Sequence, residues 1–367
     1  MKVLFTTNTP SSYRVDFFNE LGKYCDLTVL FETQCDRSRN KNWMSNNYKN
    51  FTAVFLKGIR KGDADAVCFD VLKYLNKNYA AIIIGAYHTP TARIAIEYMK
   101  LRRIPFIISS DGGFINEREN RLKYWIKKHY ISAADGWLST GKTTTEYLEH
   151  YGAKNNKICL YPFTSVCKDK VLKEPVSQEE KSSLRVQLDM KENKICISVG
   201  QFINRKGFDL LLSAANEMEC SVGIYIIGGI ATQFYLDLVE KYQLKNIHFV
   251  DFMKKKDLEM YYKAADFFVL PTREDIWGLV INEAMSYGLP VITTDRCIAG
   301  LEMINTGKNG FIVPANTVKE LKDAMEQILH CDLYKLSVNA LETAQQYTIE
   351  NMALSHINYL KNKGIKE

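Results

Sequence analysis

Five short apolar runs follow one another between Lys194 and Asp295: KICISVG, SVGIYIIGG, IHFVDF, DFFVLPT and PVITTD. Each is too short for a helix and is apolar throughout instead of alternating. A strand of that kind must be covered on both faces, which means a parallel sheet between layers of helices. The segments between the runs supply those layers, with helical spacing over 207–217, 231–242 and 256–264. The first half repeats the scheme with KVLFTT, DLTVLF, AAIIIGA, PFIIS and GWLST, and helix-like segments at 14–24 and 91–101. The polar, Lys/Glu-rich stretch at about 165–193 separates the two halves and contains a short helix from Ser177. The chain therefore reads as α/β, with two doubly wound Rossmann-like halves. In such sheets ligands sit beyond the carboxyl ends of the strands.

The composition narrows the function. No apolar run approaches the roughly 18 residues that a membrane span needs, and the N-terminus turns polar after five residues, reading as a first strand and not as a signal peptide. Nine scattered cysteines without a C-x-x-C pair suit a reducing cytoplasm, and neither they nor the six histidines form a metal-ligand cluster in sequence. Charge is unevenly spread. Residues 1–170 hold 26 basic against 16 acidic side chains, a net +10, whereas 171–367 hold 22 against 26, a net −4. A basic first half suits an anionic surface or substrate.

The stretch DIWGLVINEAMSYGLPVI, Asp275 to Ile292, places two carboxylates, Asp275 and Glu283, around an apolar turn that opens a helix near Leu279. A helix N-terminus suits a phosphate, while flanking acids repel phosphates but hold hydroxyls. A ligand with hydroxyls at both ends and a diphosphate between resolves that conflict, and a nucleotide-sugar has this form. The stretch resembles the E-x7-E signature of the family-four glycosyltransferases of the GT-B fold, with Asp275 in place of the first Glu and EAMSYGLPVI following closely. SVGQFINRKGFDLLLSAA, from Ser198, resembles the family's basic loop, with Gln201 where many members have Arg. The resemblance implies that Asp275 holds the donor sugar, with Glu274 as a neighbour able to share that role, and that Glu283 holds the ribose. It assigns the backbone of Ile276, Trp277, Gly278 and Leu279 to the diphosphate and Arg205 and Lys206 to its charge. Gly228, Gly229 and Phe252 fall on the nucleotide side. It also implies domains at 1–168 and 169–348, with a final helix at 349–367 packing back on the first, no metal, no cofactor, and a nucleotide-sugar co-substrate, UDP-linked by family frequency.

In the first half, Tyr13 and Arg14, His88, and Asp111 follow strand-like runs and are acceptor-side candidates, Asp111 also as a catalytic group. A turn role for Asp111 and packing roles for the others stand beside those readings. The stretch from Gly136 to Thr143 satisfies G-x4-G-K-T, the phosphate-cradling pattern that would use Lys142, but Trp137 and Leu138 read as strand. Asp63 and Asp65 resemble a metal-binding acid pair yet read as the opening of a helix. From Arg118 to Tyr130, Leu122, Trp125, Ile126 and His129 form an apolar stripe flanked by Arg121, Lys123, Lys127 and Lys128. That stripe either packs on the core or lies on an anionic membrane. No nucleic-acid motif accompanies the charge.

The expected function is retaining, metal-independent transfer of a sugar from a nucleotide-sugar to a hydroxyl of a lipid-linked or polysaccharide acceptor. Its expected location is the cytoplasm or the inner face of the cell membrane. A P-loop nucleotide hydrolase or kinase, a non-catalytic sugar-nucleotide-binding protein and a sugar-nucleotide epimerase are the alternatives.

Overall fold

The computed structural model describes residues 1–37, 44–116, 118–218 and 222–364. The chain divides into two compact units, residues 1–165 with the segment from Tyr347 onward, and Val166–Gln346.

The first unit opens with β1 (Lys2–Thr7), α1 (Ser12–Leu21), β2 (Asp26–Phe31) and β3 (Thr52–Phe55). A hairpin of β4 (Ile59–Lys61) and β5 (Asp65–Val67) follows, and then β6 (Ala81–Ile84), α2 (Pro90–Arg102) and β7 (Ile107–Ser110). The unit continues with α3 (Arg121–Ile131), β8 (Gly136–Ser139), α4 (Lys142–His150) and β9 (Ile158–Leu160). Seven of these strands form one parallel sheet in the order β3-β2-β1-β6-β7-β8-β9. Strands β6, β7 and β8 are buried along their whole length, which is why their sequences are unbroken in apolar and small residues. α2 starts where Thr89 accepts the Ala92 N–H with Pro90 in the first turn, and it stops at Arg103 in the left-handed region.

The second unit contains α5 (Gln178–Gln187), β10 (Ile195–Val199), α6 (Phe208–Glu217), β11 (Gly223–Ile227), α7 (Gln233–Lys241) and β12 (Ile247–Val250). Next come α8 (Lys255–Ala264), β13 (Phe267–Leu270), α9 (Leu279–Ser286), β14 (Val291–Thr294), α10 (Ile298–Met303), β15 (Gly310–Val313), α11 (Val318–Leu329) and α12 (Leu333–Gln346). Its six parallel strands run β12-β11-β10-β13-β14-β15. Ser177 caps α5 by accepting the Glu180 N–H, with Glu179 and Glu180 in the first turn.

The last helix, α13 (Ile349–Asn362), belongs to the first unit. It lies on α1, with the His356 ring 4.8 Å from that of Phe17. The Tyr359 hydroxyl donates to the Lys157 carbonyl at 3.0 Å and the Lys363 ammonium to the Asp135 carbonyl at 2.8 Å. Residues 365–367 of the expected final helix lie outside the described residues.

Two local expectations are corrected. Asp63 does not open a helix; it sits in the β4–β5 turn beside Gly62, whose φ of +78° is open to glycine, and Asp65 starts β5. Nor does the stripe of α3 pack on the core. Leu122 is 68% and Trp125 59% exposed, while Tyr124 and Ile131 turn inward.

His356 is fully buried, and its Nδ1–H donates to the Met352 carbonyl at 2.8 Å. Burial pushes its pKa down to about 4, against the pull of that carbonyl. Between pH 6.5 and 4 the unfolded chain binds a proton that the folded chain refuses, so this group costs stability as the pH falls. Glu32, pushed up to about 7 by burial, works in the opposite sense, being protonated in the fold and losing stability as pH rises toward 7. Urea unfolding of His356→Leu isolates the first effect. Wild type should lose roughly 2 kcal/mol more than the variant on going from pH 7 to pH 5; parallel losses would show that His356 titrates normally.

Candidate active site

The strongest constellation lies at the carboxyl ends of β10 and β13 in the second unit. β10 runs into a loop with a short turn, Asn204–Lys206, closed by Gly207 at φ +71°. A Cβ on Gly207 would stand 2.0 Å from the Pro271 carbonyl oxygen, so only glycine lets the two loops touch. The contact brings Lys206 to Asp275: Nζ to Oδ2 is 2.6 Å, with both side chains largely buried, at 12% and 14% exposure. The Lys206 stem runs beside Gly200, whose added Cβ would meet Cε at 3.3 Å. Arg205 is 3.5 Å from the other Asp275 oxygen and donates to the Glu274 carbonyl at 2.8 Å. Glu274 itself pairs outward with Arg296 at 2.6 Å, so of the two neighbouring acids it is Asp275 that faces Lys206.

The far side of the Asp275 loop is fixed by backbone. The Asp275 N–H donates to the Arg296 carbonyl at 2.8 Å, Ile298 N–H donates to the Asp275 carbonyl at 3.2 Å, and Ala299 N–H to the Trp277 carbonyl at 2.9 Å. Trp277 is buried and its indole N–H donates to Asn282 at 2.8 Å, so the residue offers its backbone and not its ring. Ile276, by contrast, is exposed. Gly278, at φ +102°, caps α9, and a Cβ there would stand 2.7 Å from the Cys297 sulfur. The first turn of α9 brings the positive end of its dipole to this loop, with the Ile281 N–H donating to the Gly278 carbonyl at 2.8 Å. Glu283 lies one turn in, half-buried, and accepts from the Tyr262 hydroxyl at 3.4 Å.

Gly228 and Gly229 follow β11. A Cβ on Gly228 would stand 1.8 Å from the Gly200 carbonyl oxygen, which packs the β10 and β11 loops together. Phe252 follows β12, half-buried, its N–H donating to the Asp251 carboxylate. Every donor-side residue expected from the sequence thus lies at or just past a strand's carboxyl end or in the α9 turn.

In the first unit, Tyr13, Arg14 and Asp111 come together, and His88 lies near enough to feel the charges of Asp111 and Arg14. Arg14, in the first turn of α1, pairs with Asp111, which follows β7. Burial opposes the Arg14 charge, and Asp111, Tyr13 and Tyr161 more than restore it, leaving the guanidinium firmly protonated. The Tyr161 hydroxyl, from the end of β9, donates to the Ser110 carbonyl at 3.1 Å and approaches Asp111 at 3.4 Å. Tyr13 lies edge-on to Phe163 at 5.8 Å, with the Arg14 guanidinium 5.5 Å from its ring. His88 is exposed in the β6 loop. The G-x4-G-K-T match is strand from Gly136 to Ser139 with Trp137 buried, and Lys142 opens α4 with its side chain 85% exposed. The P-loop geometry, a strand ending before the first glycine, is absent there.

Sequence reasoning did not find Asp209, Arg273, Arg296, Tyr161 or Tyr262 around these sites. The signal for Asp209 was its place inside the Ser198–Ala215 stretch, and Arg273 stands two residues before the Asp275 stretch.

The two parallel sheets with loop sites at their carboxyl ends define a GT-B architecture. The family Glycosyl transferases group 1 matches residues 180–347. An uncharacterized 41.2 kDa protein of the cps region of Klebsiella pneumoniae is 30% identical over 326 residues, 83% of each chain. The N,N'-diacetylbacillosaminyl-diphospho-undecaprenol alpha-1,3-N-acetylgalactosaminyltransferase of Campylobacter jejuni is 22% identical over 307 residues, 81% of this chain and 80% of its own. The matched stretches span from 39% to 83% of the curated relatives' own lengths, and about half (52%) of the D-inositol 3-phosphate glycosyltransferase of Corynebacterium aurimucosum. Among solved structures, Anabaena HepE in complex with UDP superposes with a TM-score of 0.78 at 16% identity, covering 99% of this chain and 100% of that one. The chain belongs to the group 1 glycosyl transferases.

Proposed function

We propose that this protein is a retaining glycosyltransferase that moves a sugar from a nucleotide-sugar, with UDP-sugars favoured, to a hydroxyl of a lipid-linked or polysaccharide acceptor. The observation that carries the reading is the Lys206–Asp275 pair at 2.6 Å beside the N-terminus of α9. An acid, two cations and a helix tip then stand within one ligand's length. In this reading the diphosphate binds at Arg205, Lys206 and the first amides of α9, Asp275 takes hydroxyls of the sugar, and Glu283 takes those of the ribose. The leaving diphosphate gains charge as the sugar–oxygen bond breaks, and cations fixed beside it favour that transition state. Arg205 and Lys206 can supply this without a divalent ion. Retention follows the family resemblance, with the leaving phosphate taking the acceptor proton on the face it departs from. The undecaprenol-linked acceptor in the name of the Campylobacter relative supports a lipid-linked substrate, and the UDP of the HepE complex supports the donor. Arg14, Asp111 and Tyr13 are the acceptor-side candidates, with His88 at their margin.

A second element of the reading is peripheral attachment to the inner face of the cell membrane. No described helix is long and apolar enough to cross a bilayer. The exposed Leu122 and Trp125 on α3, beside exposed Arg118, Arg121 and Lys123, support interfacial binding. Lys127 is turned inward to Glu119 at 2.6 Å and adds little to that face.

A thermal-shift panel of UDP-, GDP- and ADP-glucose tests the donor. A matching donor at 100-fold its Kd should stabilise the protein by about 2.7 kcal/mol, and Glu283→Ala should remove most of that shift. An unchanged shift in the variant, or no shift with any donor, contradicts the assignment. Co-sedimentation with phosphatidylglycerol vesicles tests the membrane element: Trp125→Ser with Leu122→Ser should weaken binding roughly tenfold or more, whereas equal binding by the variant removes α3 from the account.

A further inference from the structure

Arg273 precedes Asp275 by two residues and has no place in the ligand assignments above. Its guanidinium forks onto Asp209, with Nη1 donating to Oδ1 at 2.8 Å and Nη2 to Oδ2 at 2.6 Å. Nη1 also donates to the Asn204 carbonyl at 2.6 Å. The Arg273 N–H donates to the Arg205 carbonyl at 2.8 Å, and that oxygen accepts the Thr272 hydroxyl at 2.9 Å as well. Three of these hydrogen bonds join the loop carrying Asp275 to the turn carrying Arg205 and Lys206, and two more tie that loop to Asp209. Asp209 is the second residue of α6, where the helix dipole favours an acid, so the anchor stands on a rigid element.

We propose that Arg273 and Asp209 are a positioning pair that fixes Arg205 and Lys206 relative to Asp275 and so aligns the donor's diphosphate with its sugar. The proposal rests on the donor reading above. An ordinary exposed ion pair contributes little, but this one is bidentate, three-quarters buried on both sides, at 24% and 21% exposure, and backed by main-chain bonds. A lysine at position 273 keeps the charge and loses the fork. The turn would then lose its tie to the rigid α6 anchor and keep the Arg273 N–H, the Thr272 hydroxyl and the Arg205–Glu274 bond. Displacement of a reacting group by about 1 Å costs on the order of a hundredfold in rate.

Two measurements test this on Arg273→Lys, Asp209→Asn and the double variant. The first is nucleoside diphosphate release from whichever glucose donor shifts the melting point of wild type. Each single variant should lower kcat roughly tenfold or more, with a smaller change in donor KM and little change in melting temperature. The double variant should be no worse than the poorer single, because both remove one interaction. Wild-type kcat in the single variants, or losses that add independently and follow the melting temperature, would overturn the proposal. The second is amide exchange without donor. In Arg273→Lys the amides of Lys206 and Arg273 should exchange about tenfold faster, with β10 and β13 unchanged; unchanged loop exchange overturns the clamp. If no nucleotide-sugar binds wild type, the donor reading fails by itself, and the exchange result still decides the clamp.

Discussion

A lysine and an aspartate held 2.6 Å apart in a largely buried site are costly to desolvate, and the pairing offsets part of that cost. Such a pair holds its geometry only if the backbone beneath it is fixed. Here it is fixed from both sides. Toward β10, glycine at 207 allows the close approach, and Arg273 with Thr272 stitches the two loops. Toward β14, the segment 296–299 returns three backbone hydrogen bonds to Asp275 and Trp277. A site fixed in this way has the rigidity that the proposed electrostatic stabilisation requires.

The same pair gives the proposed reaction a built-in exchange. Lys206 is the nearest counter-ion of Asp275. In the proposed complex a diphosphate brings negative charge to Lys206, and a sugar hydroxyl brings a hydrogen-bond donor to Asp275. Both groups of the pair then find partners on one molecule. A nucleotide without its sugar satisfies only the lysine and leaves Asp275 without its counter-ion. That asymmetry is a physical reason for such a site to discriminate between donor and spent nucleotide.

Much of this was legible in the sequence. Fully buried parallel strands such as β6 and β13 must be apolar along their length, and that continuity marks them. β3 and β9 are short and partly exposed, so their apolar runs are too brief to stand out as buried strands. Aspartate suits both helix starts and turns, which is why 63–65 pointed to the wrong element. On α3 the helical period shows that a stripe exists but not which side the core covers; the larger inward contribution comes from Tyr124 and Ile131. Asp275, Glu283 and Lys206 were singled out by two short stretches that resemble the family's motifs. The Arg273–Asp209 and Arg14–Asp111 pairs were not, because 64 and 97 residues separate their members and only strand order brings them together.

The most direct test of the account is the affinity of Asp275→Asn for the preferred nucleotide-sugar and for its nucleoside diphosphate alone, measured by calorimetry. Removing the carboxylate's charge frees Lys206 for the phosphates and deprives the sugar of its acceptor. The variant should bind the bare diphosphate more tightly than wild type and should lose the preference for the intact donor. Parallel weakening of both ligands, or no change in either, would contradict the exchange on which the site is proposed to work.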